Sequence, residues 1–193
     1  MDGRATGGRD VVDQDDEQVT AWALAAGTGD PQALAAFVRA TQPQCWRFLR
    51  HLLADAETDD LVQETYLRAM RSLPRFAGRS TARTWLFGIA RRVAADHLRA
   101  AGRRPATVAL DAYDPPAAGR FEAGVALDAL LRELPAERRE AFLATQVLGL
   151  SYAEAARVCD CPVGTIRSRV ARAREDLVAA LAEHPGRPGV RAG

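Results

Sequence analysis

The sequence predicts an all-α protein in which a flexible linker joins two small helical domains. Apolar residues recur at three- and four-residue steps through most of the chain, which is typical of amphipathic helices. No segment alternates apolar and polar residues in the way that indicates a strand. One stretch, residues 105–121, contains Pro115-Pro116 and Gly119 and lacks helical periodicity, so it predicts the linker. If extended at roughly 3.3–3.6 Å per residue, it would span about 55–60 Å.

The composition is that of a globular chain. The 193 residues are 48% hydrophobic and 26% charged, which excludes a disordered or fibrous protein. No apolar run approaches the roughly 20 residues that cross a bilayer, and the start Met1-Asp2-Gly3-Arg4 does not look like a signal peptide. We therefore expect a cytoplasmic protein without membrane insertion. The three cysteines are an odd number, which argues against a disulfide framework.

The first part of the chain divides into an arm and a helical domain. Residues 1–16 are rich in glycine and charge and poor in apolar side chains, so they predict a flexible acidic arm. Residues 17–104 form the first predicted domain, a bundle of three or four helices. Its elements are a short helix from Glu17, a helix opened by Asp30-Pro31 and kinked at Pro43, a helix over 56–72, a loop over 74–80, and a helix over 81–101 that Gly102 ends.

The second part of the chain is a smaller helical domain. It covers residues 122–184, and residues 185–193 form a flexible tail. Helical periodicity predicts one helix over 122–133 and another over 136–148. Proline at the first position and glycine after the last are typical helix boundaries, and Pro135 and Gly149 stand at these places in the second helix.

The segment after Gly149 has the pattern of a helix-turn-helix. Ser151 and Glu154 stand at the spacing of a capping box, in which the hydroxyl and the carboxylate each satisfy a free backbone N–H, so a helix is predicted from Tyr152. Asp160 tolerates the positive φ that the corner of such a motif requires. Pro162 then suits the first turn of the next helix.

The second helix of this motif has an apolar stripe and an arginine-rich face. The stripe contains Val163, Ile166, Val170, Ala173 and Leu177. The side chains opposite or beside it are Thr165, Arg167, Ser168, Arg169, Ala171, Arg172 and Arg174. A helix of this kind fits the major groove of DNA, where guanidinium groups read guanine. The alternative is an ordinary amphipathic surface helix with solvated arginines.

Charge is unevenly distributed although the formal net charge is only +1. The start is acidic, with Asp10, Asp13, Asp15, Asp16 and Glu17. Arginines concentrate before the middle of the chain, at positions 79, 83, 91, 92, 99, 103 and 104, and again over residues 167–174. Two separated basic segments would neutralise phosphates at two places on a nucleic acid, and affinity would then fall steeply with salt.

The order of motifs resembles one known family. The motifs are DDLVQETYLR at 59–68, RTWLFGIAR at 83–91, DHLR at 96–99 and CPVGTIRSR at 161–169. Together they are similar to the extracytoplasmic-function (ECF) sigma factors, the minimal group of the sigma-70 family, over nearly the whole chain. Gln42, Trp46-Arg47-Phe48 and residues 80–86 and 158–161 most resemble the actinobacterial SigC branch.

The resemblance implies an alternative sigma factor that binds core RNA polymerase and directs promoter-specific initiation of transcription. Residues 17–104 would then be the sigma-2 domain, which recognises the −10 element, and residues 122–184 the sigma-4 domain, which recognises the −35 element. The polymerase contacts that it implies are the β′ coiled coil and the β flap. An anti-sigma factor is a further partner that the family suggests.

A polar surface on the predicted helix 56–72 is the implied docking site for the β′ coiled coil. It contains Asp59, Asp60, Gln63 and Glu64, which share one side of the helix. Without the resemblance, a solvated acidic face explains the same residues equally well.

The loop before the last sigma-2 helix is the implied site of the −10 element, where an unstacked base enters a pocket. Arg75, Phe76, Arg79 and Ser80 belong to this loop, and an aromatic ring and arginines can compensate the cost of unstacking. Phe76 is equally explained as core, and Trp85 is better explained by burial than by strand separation. The expected phosphate contacts are Arg83, Arg91, Arg92 and Arg99. For the −35 element, Arg167, Ser168 and Arg172 match the groove-facing positions of the family, with Ala171 beside them.

Two other classes of function remain open at the level of sequence. One is a helix-turn-helix regulator that acts without polymerase, and the other is an enzyme such as a DNA recombinase. No catalytic triad, phosphate-binding glycine loop or metal-spaced carboxylate cluster stands out, so we expect neither an enzyme nor a cofactor. Cys159 and Cys161 with Cys45 and the histidines show no zinc-finger spacing. Cys159 is expected to pack as a small apolar residue, and a redox switch is the remaining alternative.

Overall fold

The computed structural model describes residues 7–53, 57–101 and 128–183, and within these ranges it contains helices and turns but no strand. The predicted all-α class is confirmed. The helices are α1 (Gly7–Gly27), α2 (Pro31–Leu53), α3 (Thr58–Ser72), α4 (Ala82–Ala101), α5 (described over 128–133), α6 (Ala136–Phe142), α7 (Tyr152–Cys159) and α8 (Val163–Glu183). A 3₁₀ turn (Leu73–Arg75) follows α3, and a π-helix (Leu143–Val147) follows α6. The predicted linker 105–121 and tail 185–193 lie outside the described residues.

Helix α1 begins earlier than the sequence predicts. Residues 7–16, which composition assigned to a flexible arm, are helical. The helix packs its apolar residues Val19 and Ala23 into the core. Asp16 is also buried, because it accepts a hydrogen bond of 2.9 Å from Arg83 of α4. Composition could not predict this helix, since a buried partner from a distant segment stabilises its acidic turn.

Helices α1–α4 form the first helical unit around an aromatic core. The rings of Phe48 and Phe87 lie 5.9 Å apart between centroids, and both side chains are fully buried. Thr41 and Tyr66 share a buried hydrogen bond of 2.7 Å that joins α2 to α3. Helix α2 continues through Pro43 without a break in helical structure. This unit corresponds to the first domain that the sequence predicts.

Helices α5–α8 form the second helical unit. The predicted helix 136–148 divides in the structure, because α6 gives way to the π-helix, in which Leu148 N–H donates to the carbonyl of Leu143 at 3.0 Å. Gly149 follows with a φ of +69°, a left-handed conformation that favours glycine. The chain therefore turns sharply here, and Leu148 lies at the turn. Within the described residues, no helix is both long and apolar enough to span a membrane.

The helix-turn-helix has the predicted geometry. The capping box is complete, because Ser151 Oγ accepts from Glu154 N and Glu154 Oε2 accepts from Ser151 N at 3.0 Å. Asp160 adopts the left-handed conformation at φ 51° and ends α7. On α8, Ile166, Val170 and Ala173 are buried, whereas Val163 at the first turn is 37% exposed.

The two helical units pack directly against each other. Their buried residues belong to one continuous hydrophobic cluster, in which α4 lies against α7 and α2 lies against the π-helix. The sequence predicts two domains joined by a linker of at most about 55–60 Å when extended at roughly 3.3–3.6 Å per residue, and it leaves open whether the two domains pack together. A shared core was not predicted, because each helix taken alone shows only that it has an apolar face.

Candidate nucleic-acid interface

A pocket opens in the loop between α3 and α4, where the sequence predicts the −10 site. Its volume is about 200 Å³, and its lining consists of Arg75, Phe76, Ala77, Arg79, Ser80 and Trp85. The Phe76 and Trp85 rings lie 4.9 Å apart between centroids at an interplanar angle of 37°, and both are half-buried. The arginines are exposed at the rim. Aromatic walls below guanidinium groups suit a planar, anionic ligand such as a nucleotide.

The pocket is built on the core of the first helical unit. Trp85 contacts the fully buried ring of Phe37, with 6.5 Å between centroids. The 3₁₀ turn after α3 orients Phe76, whose N–H donates to the carbonyl of Leu73 at 2.9 Å. Gly78 at the tip has a φ of +65°, which lets the loop reverse direction. Phe76 and Trp85 are therefore partly core and partly pocket wall, so both interpretations of these residues describe part of their environment.

A second cavity also has Trp85 in its lining. Its volume is about 300 Å³, and its lining consists of Arg68, Ser72, Trp85, Ile89 and Arg92. Arg92 is exposed and its Nε donates to the carbonyl of Gly88 at 2.9 Å. Trp85 therefore contributes to the lining of both cavities, and each cavity also has arginine in its lining.

The opposite side of α4 is covered by the second helical unit. Arg83 is only 8% exposed, because its guanidinium donates to Asp16 at 2.9 Å, to Gln44 at 2.9 Å and to the carbonyl of Leu148 at 2.6 Å. The Arg91 guanidinium forms an ion pair with Glu140. In this arrangement the Arg83 guanidinium is buried, whereas the Arg91 side chain is 30% exposed but paired. Their predicted phosphate contacts stay predictions, and that of Arg83 requires the two units to separate.

Two glutamates of the second helical unit contact α4 or its N-terminal turn. The Glu154 carboxylate accepts from the hydroxyls of Thr81 at 3.2 Å and Thr84 at 3.1 Å. Burial opposes its ionisation, but these bonds and those from Ser151 outweigh burial and lower its pKa. For Glu140, burial is the larger effect and raises the pKa, although Arg91 opposes the shift.

Arg99 at the C-terminal part of α4 remains accessible. Its side chain is 67% exposed and forms an ion pair with Asp96 of the same helix. Arg68 of α3 donates to Asp96 at 2.6 Å and to Glu64 at 2.7 Å. Hydrogen bonds from Arg68 and Arg99 lower the pKa of Asp96. The network is exposed to solvent, so it contributes little stability and leaves Arg99 free to exchange partners.

The predicted polymerase-docking residues share one side of α3. Asp59, Asp60 and Gln63 are exposed, and Glu64 is half-buried by its ion pair with Arg68. The indole N–H of Trp46 donates to Asp59 at 2.9 Å, and the Arg50 guanidinium lies 5.4 Å from the centroid of the same ring. The second helical unit leaves this surface uncovered.

The recognition helix α8 presents most of its predicted face to solvent. Arg167, Ser168, Ala171 and Arg172 are exposed, and Thr165 is partly buried. Arg169 differs, because it donates to Glu137 of α6 at 2.7 Å and to the sulfur of Cys161 at 3.7 Å. Its guanidinium therefore joins α8 to α6 and to the turn that precedes α8.

The three cysteines are free thiols, and one of them, Cys161, contacts Arg169 of α8. Cys45 and Cys159 are buried, and burial raises the pKa of each thiol to about 12. Cys161 is half-buried. Among the described residues, no group of three or more histidine, cysteine, aspartate or glutamate side chains is placed to hold a metal ion.

Sequence reasoning missed the residues that join the units, Asp128, Glu140 and Leu148, and the second role of the cap residue Glu154. Asp128 is 7% exposed and pairs with Arg50 and His51 of α2. One signal was available for Glu140. It stands four positions before the fully buried Ala144, so it lies on the apolar side of its helix, where an acidic residue needs a partner.

Comparison with known proteins identifies both helical units. The family description "Sigma-70 region 2" matches residues 37–104, and "Sigma-70, region 4" matches residues 124–177. The ECF RNA polymerase sigma factor SigC of Mycobacterium tuberculosis is 53% identical over 171 residues, which cover 86% of this chain and 92% of the relative. The ECF RNA polymerase sigma-E factor of Escherichia coli K12 is 35% identical over 168 residues, which cover 77% and 86% of the two chains.

Two solved structures share the fold. CnrH in complex with the cytosolic domain of CnrY has a TM-score of 0.70 at 26% identity, covering 86% of this chain and 98% of CnrH. The sigma factor RpoE from Bartonella quintana, in complex with the anti-sigma factor NepR, has a TM-score of 0.62 at 29% identity, covering 75% and 94%. The resemblance that the motifs carry is thereby confirmed, and the chain belongs to the ECF sigma factors of the sigma-70 family.

Proposed function

We propose that this chain is an alternative sigma factor, which binds core RNA polymerase and directs it to promoters with a −10 and a −35 element. The observation that carries the proposal is its 53% identity to SigC over 86% of the chain, with both sigma-70 regions matched. The geometry supports it, because one chain carries a polar docking surface on α3, an aromatic pocket before α4 and an exposed recognition helix α8. Core polymerase binds DNA in the cytoplasm, so the chain acts there. In this proposal it is a transcription factor and not an enzyme.

The recognition helix reads the −35 element. Arg167, Ser168 and Arg172 approach base edges in the major groove, and Thr165, Arg169 and Ala171 form the rest of the predicted contact surface. This role falls to residues 122–184, the sigma-4 domain. The β flap of polymerase contacts the same domain.

The loop pocket receives an unstacked base of the −10 element. Phe76 and Trp85 supply the stacking surface, Ser80 lies in the lining, and Arg75 and Arg79 contact the adjoining phosphates. Along α4, Arg92 and Arg99 contact phosphates directly, and Arg83 and Arg91 do so once they are uncovered. This role falls to residues 17–104, the sigma-2 domain, whose α3 surface docks on the β′ coiled coil.

An anti-sigma factor is a further partner in this proposal. The two solved neighbours are complexes of a sigma factor with the cytosolic domain of CnrY and with the anti-sigma factor NepR. Both neighbours match three quarters or more of this chain, so the fold on which such a partner binds is present here.

In vitro transcription tests the proposal. Core polymerase with and without the full chain is supplied with a pool of templates in which the −10 and −35 elements are randomised. We expect transcripts only with the chain, from templates that share one preferred pair of elements. A helix-turn-helix regulator would instead select a DNA site without polymerase and would give no initiation, and that result would refute the sigma function.

Two arginine variants are expected to separate base reading from phosphate contact. Arg167→Ala removes a groove-facing guanidinium, so preference at one −35 position should weaken by about 1–3 kcal/mol. Arg99→Ala should lower the affinity for all templates by the same factor. It should also reduce the salt dependence of binding by about one phosphate contact. Competition binding of the holoenzyme across promoter variants measures both effects, and identical behaviour of the two variants would contradict these roles.

A further inference from the structure

One buried donor in the second helical unit has no acceptor. Within the residues that the structure describes, the Nε of Arg139 on α6 is the one buried side-chain nitrogen or oxygen atom without a hydrogen-bond partner. A buried donor that is left unsatisfied lowers stability, so its presence in a native chain calls for an explanation. An anion that accepts a hydrogen bond from this group would remove that cost.

The charge around Arg139 is also unbalanced. Its side chain is half-buried, and burial lowers the pKa of its guanidinium, with the positive charge of Arg132 on α5 as the second cause. No carboxylate is among the groups that shift this pKa. Arg132 is exposed. The two side chains therefore form a local excess of positive charge, and we call them the arginine pair.

Three other arginines of the second unit have acceptors elsewhere in the unit. The pairs are Arg138 with Asp176 at 2.6 Å, Arg169 with Glu137 at 2.7 Å and Arg174 with Gln146 at 3.1 Å. These bonds join different helical segments of the unit. The Nε of Arg139 makes no such bond, so a polar contact between helices does not explain why an arginine stands at this position.

The position of Arg139 on α6 sets it apart from the surfaces proposed for promoter DNA. The residue before it, Arg138, bonds to α8, and the residue after it, Glu140, pairs with Arg91 of α4. Consecutive residues project about 100° apart around an α-helix, so Arg139 leaves α6 on a third side. The arginine pair is therefore distinct from the arginines of α4 and from the groove-facing residues of α8.

We propose that the arginine pair is a binding site for a phosphate group. Two guanidinium groups match the double negative charge of a phosphate, whose oxygens accept from two N–H groups of one guanidinium side by side. A bound phosphate would give the Nε of Arg139 an acceptor, offset the repulsion between Arg132 and Arg139, and join α5 to α6. The site is independent of the proposed function, because it includes no residue that the proposed function assigns to promoter DNA or polymerase.

Titration of the full chain with inorganic pyrophosphate tests the site. Arg139→Met removes the guanidinium and keeps much of the volume. The matched control is Arg157→Met, because Arg157 is an exposed arginine of α7 and its loss changes the net charge equally. Calorimetry measures binding, with sodium chloride of equal ionic strength as the reference. We expect a dissociation constant below about 1 mM for the wild-type chain and Arg157→Met, and about tenfold weaker binding by Arg139→Met.

Thermal unfolding provides a second measurement. Pyrophosphate should raise the unfolding midpoint of the wild-type chain and Arg157→Met but not that of Arg139→Met, because a ligand of the folded state stabilises that state. Without pyrophosphate, Arg139→Met should unfold at the wild-type temperature or above it, since the substitution removes an unpaired and partly buried charge. Arg132→Met, which changes an exposed residue, should weaken pyrophosphate binding by a smaller factor than Arg139→Met.

A −35 duplex distinguishes two sources of the phosphate. If the duplex displaces pyrophosphate from the wild-type chain, the site binds a phosphate of the DNA backbone. If pyrophosphate stays bound beside the duplex, the site binds a free phosphate compound, which is the result that the position of Arg139 on α6 favours.

Equal affinity of the wild-type chain, Arg139→Met and Arg132→Met for pyrophosphate, with each variant folded by circular dichroism, would overturn the inference. An effect of pyrophosphate no larger than that of sodium chloride would also overturn it, since the arginine pair would then attract anions only through general screening. A lower unfolding midpoint of Arg139→Met without pyrophosphate, together with unchanged affinity, would assign Arg139 a purely structural role.

Discussion

Replacing Arg83 by methionine is expected to lower the free energy of unfolding by about 3–5 kcal/mol. The Arg83 and Asp16 side chains are 9% and 11% exposed, so the substitution leaves a buried carboxylate without its cation. It also removes the donors to Gln44 and to the Leu148 carbonyl. Methionine retains much of the volume, so the loss measures the polar network. Urea unfolding followed by circular dichroism gives the change.

The double variant Arg83→Met with Asp16→Asn is the control for this prediction. The amide carries no charge, so the penalty for a buried unpaired carboxylate disappears and part of the lost stability should return. A loss below about 1 kcal/mol for Arg83→Met alone would mean that the network adds little to the fold. No return of stability in the double variant would mean that packing, and not the charge on Asp16, accounts for the effect.

Replacing Phe37 by alanine is expected to lower the free energy of unfolding by a similar amount, about 3–5 kcal/mol. Phe37 is fully buried and contacts Tyr66 and Trp85. Removing its ring leaves a cavity beneath Trp85, which forms a wall of the loop pocket. We therefore expect weaker −10 binding together with the loss of stability, measured by anisotropy under conditions in which the variant is folded.

Phe37→Leu is the matched control, because it keeps the site apolar and fills most of the space. It should lower the free energy of unfolding by about 1–2 kcal/mol and leave −10 binding closer to that of the wild-type chain. If Phe37→Ala lost stability but bound −10 DNA normally, the contact between Phe37 and Trp85 would not be needed for binding in the loop pocket. If both variants bound equally poorly, the aromatic ring of Phe37 itself would be required.

Local chemistry explains which parts of the fold the sequence could predict. The capping box of Ser151 and Glu154 and the left-handed Asp160 act over a few residues, so their residue types alone indicate the helix-turn-helix. A local residue type also predicts where the preceding helical segment ends, because Gly149 adopts a positive φ there. The π-helix between α6 and this glycine was not predicted, because its pattern of apolar residues resembles that of an α-helix.

The contact between the units depends on partners that are far apart in sequence. Arg83 bonds to Leu148 and Arg91 pairs with Glu140, and no local rule joins these positions. Basic residues on α4 indicated an anionic ligand, which is consistent with both DNA and a row of carboxylates. The sequence therefore predicted the chemistry of this surface, and only the structure showed that part of the chain itself occupies it.

The hydrogen bond from Trp46 to Asp59 makes the proposed polymerase-docking surface on α3 observable by fluorescence. The indole N–H donates to a carboxylate that docking would engage, and the Arg50 cation lies against the same ring. A partner that takes over Asp59 changes the polarity around this chromophore. With Trp22 and Trp85 replaced by phenylalanine, Trp46 is the remaining tryptophan of this chain, so its emission reports the docking of a partner fragment that itself contains no tryptophan.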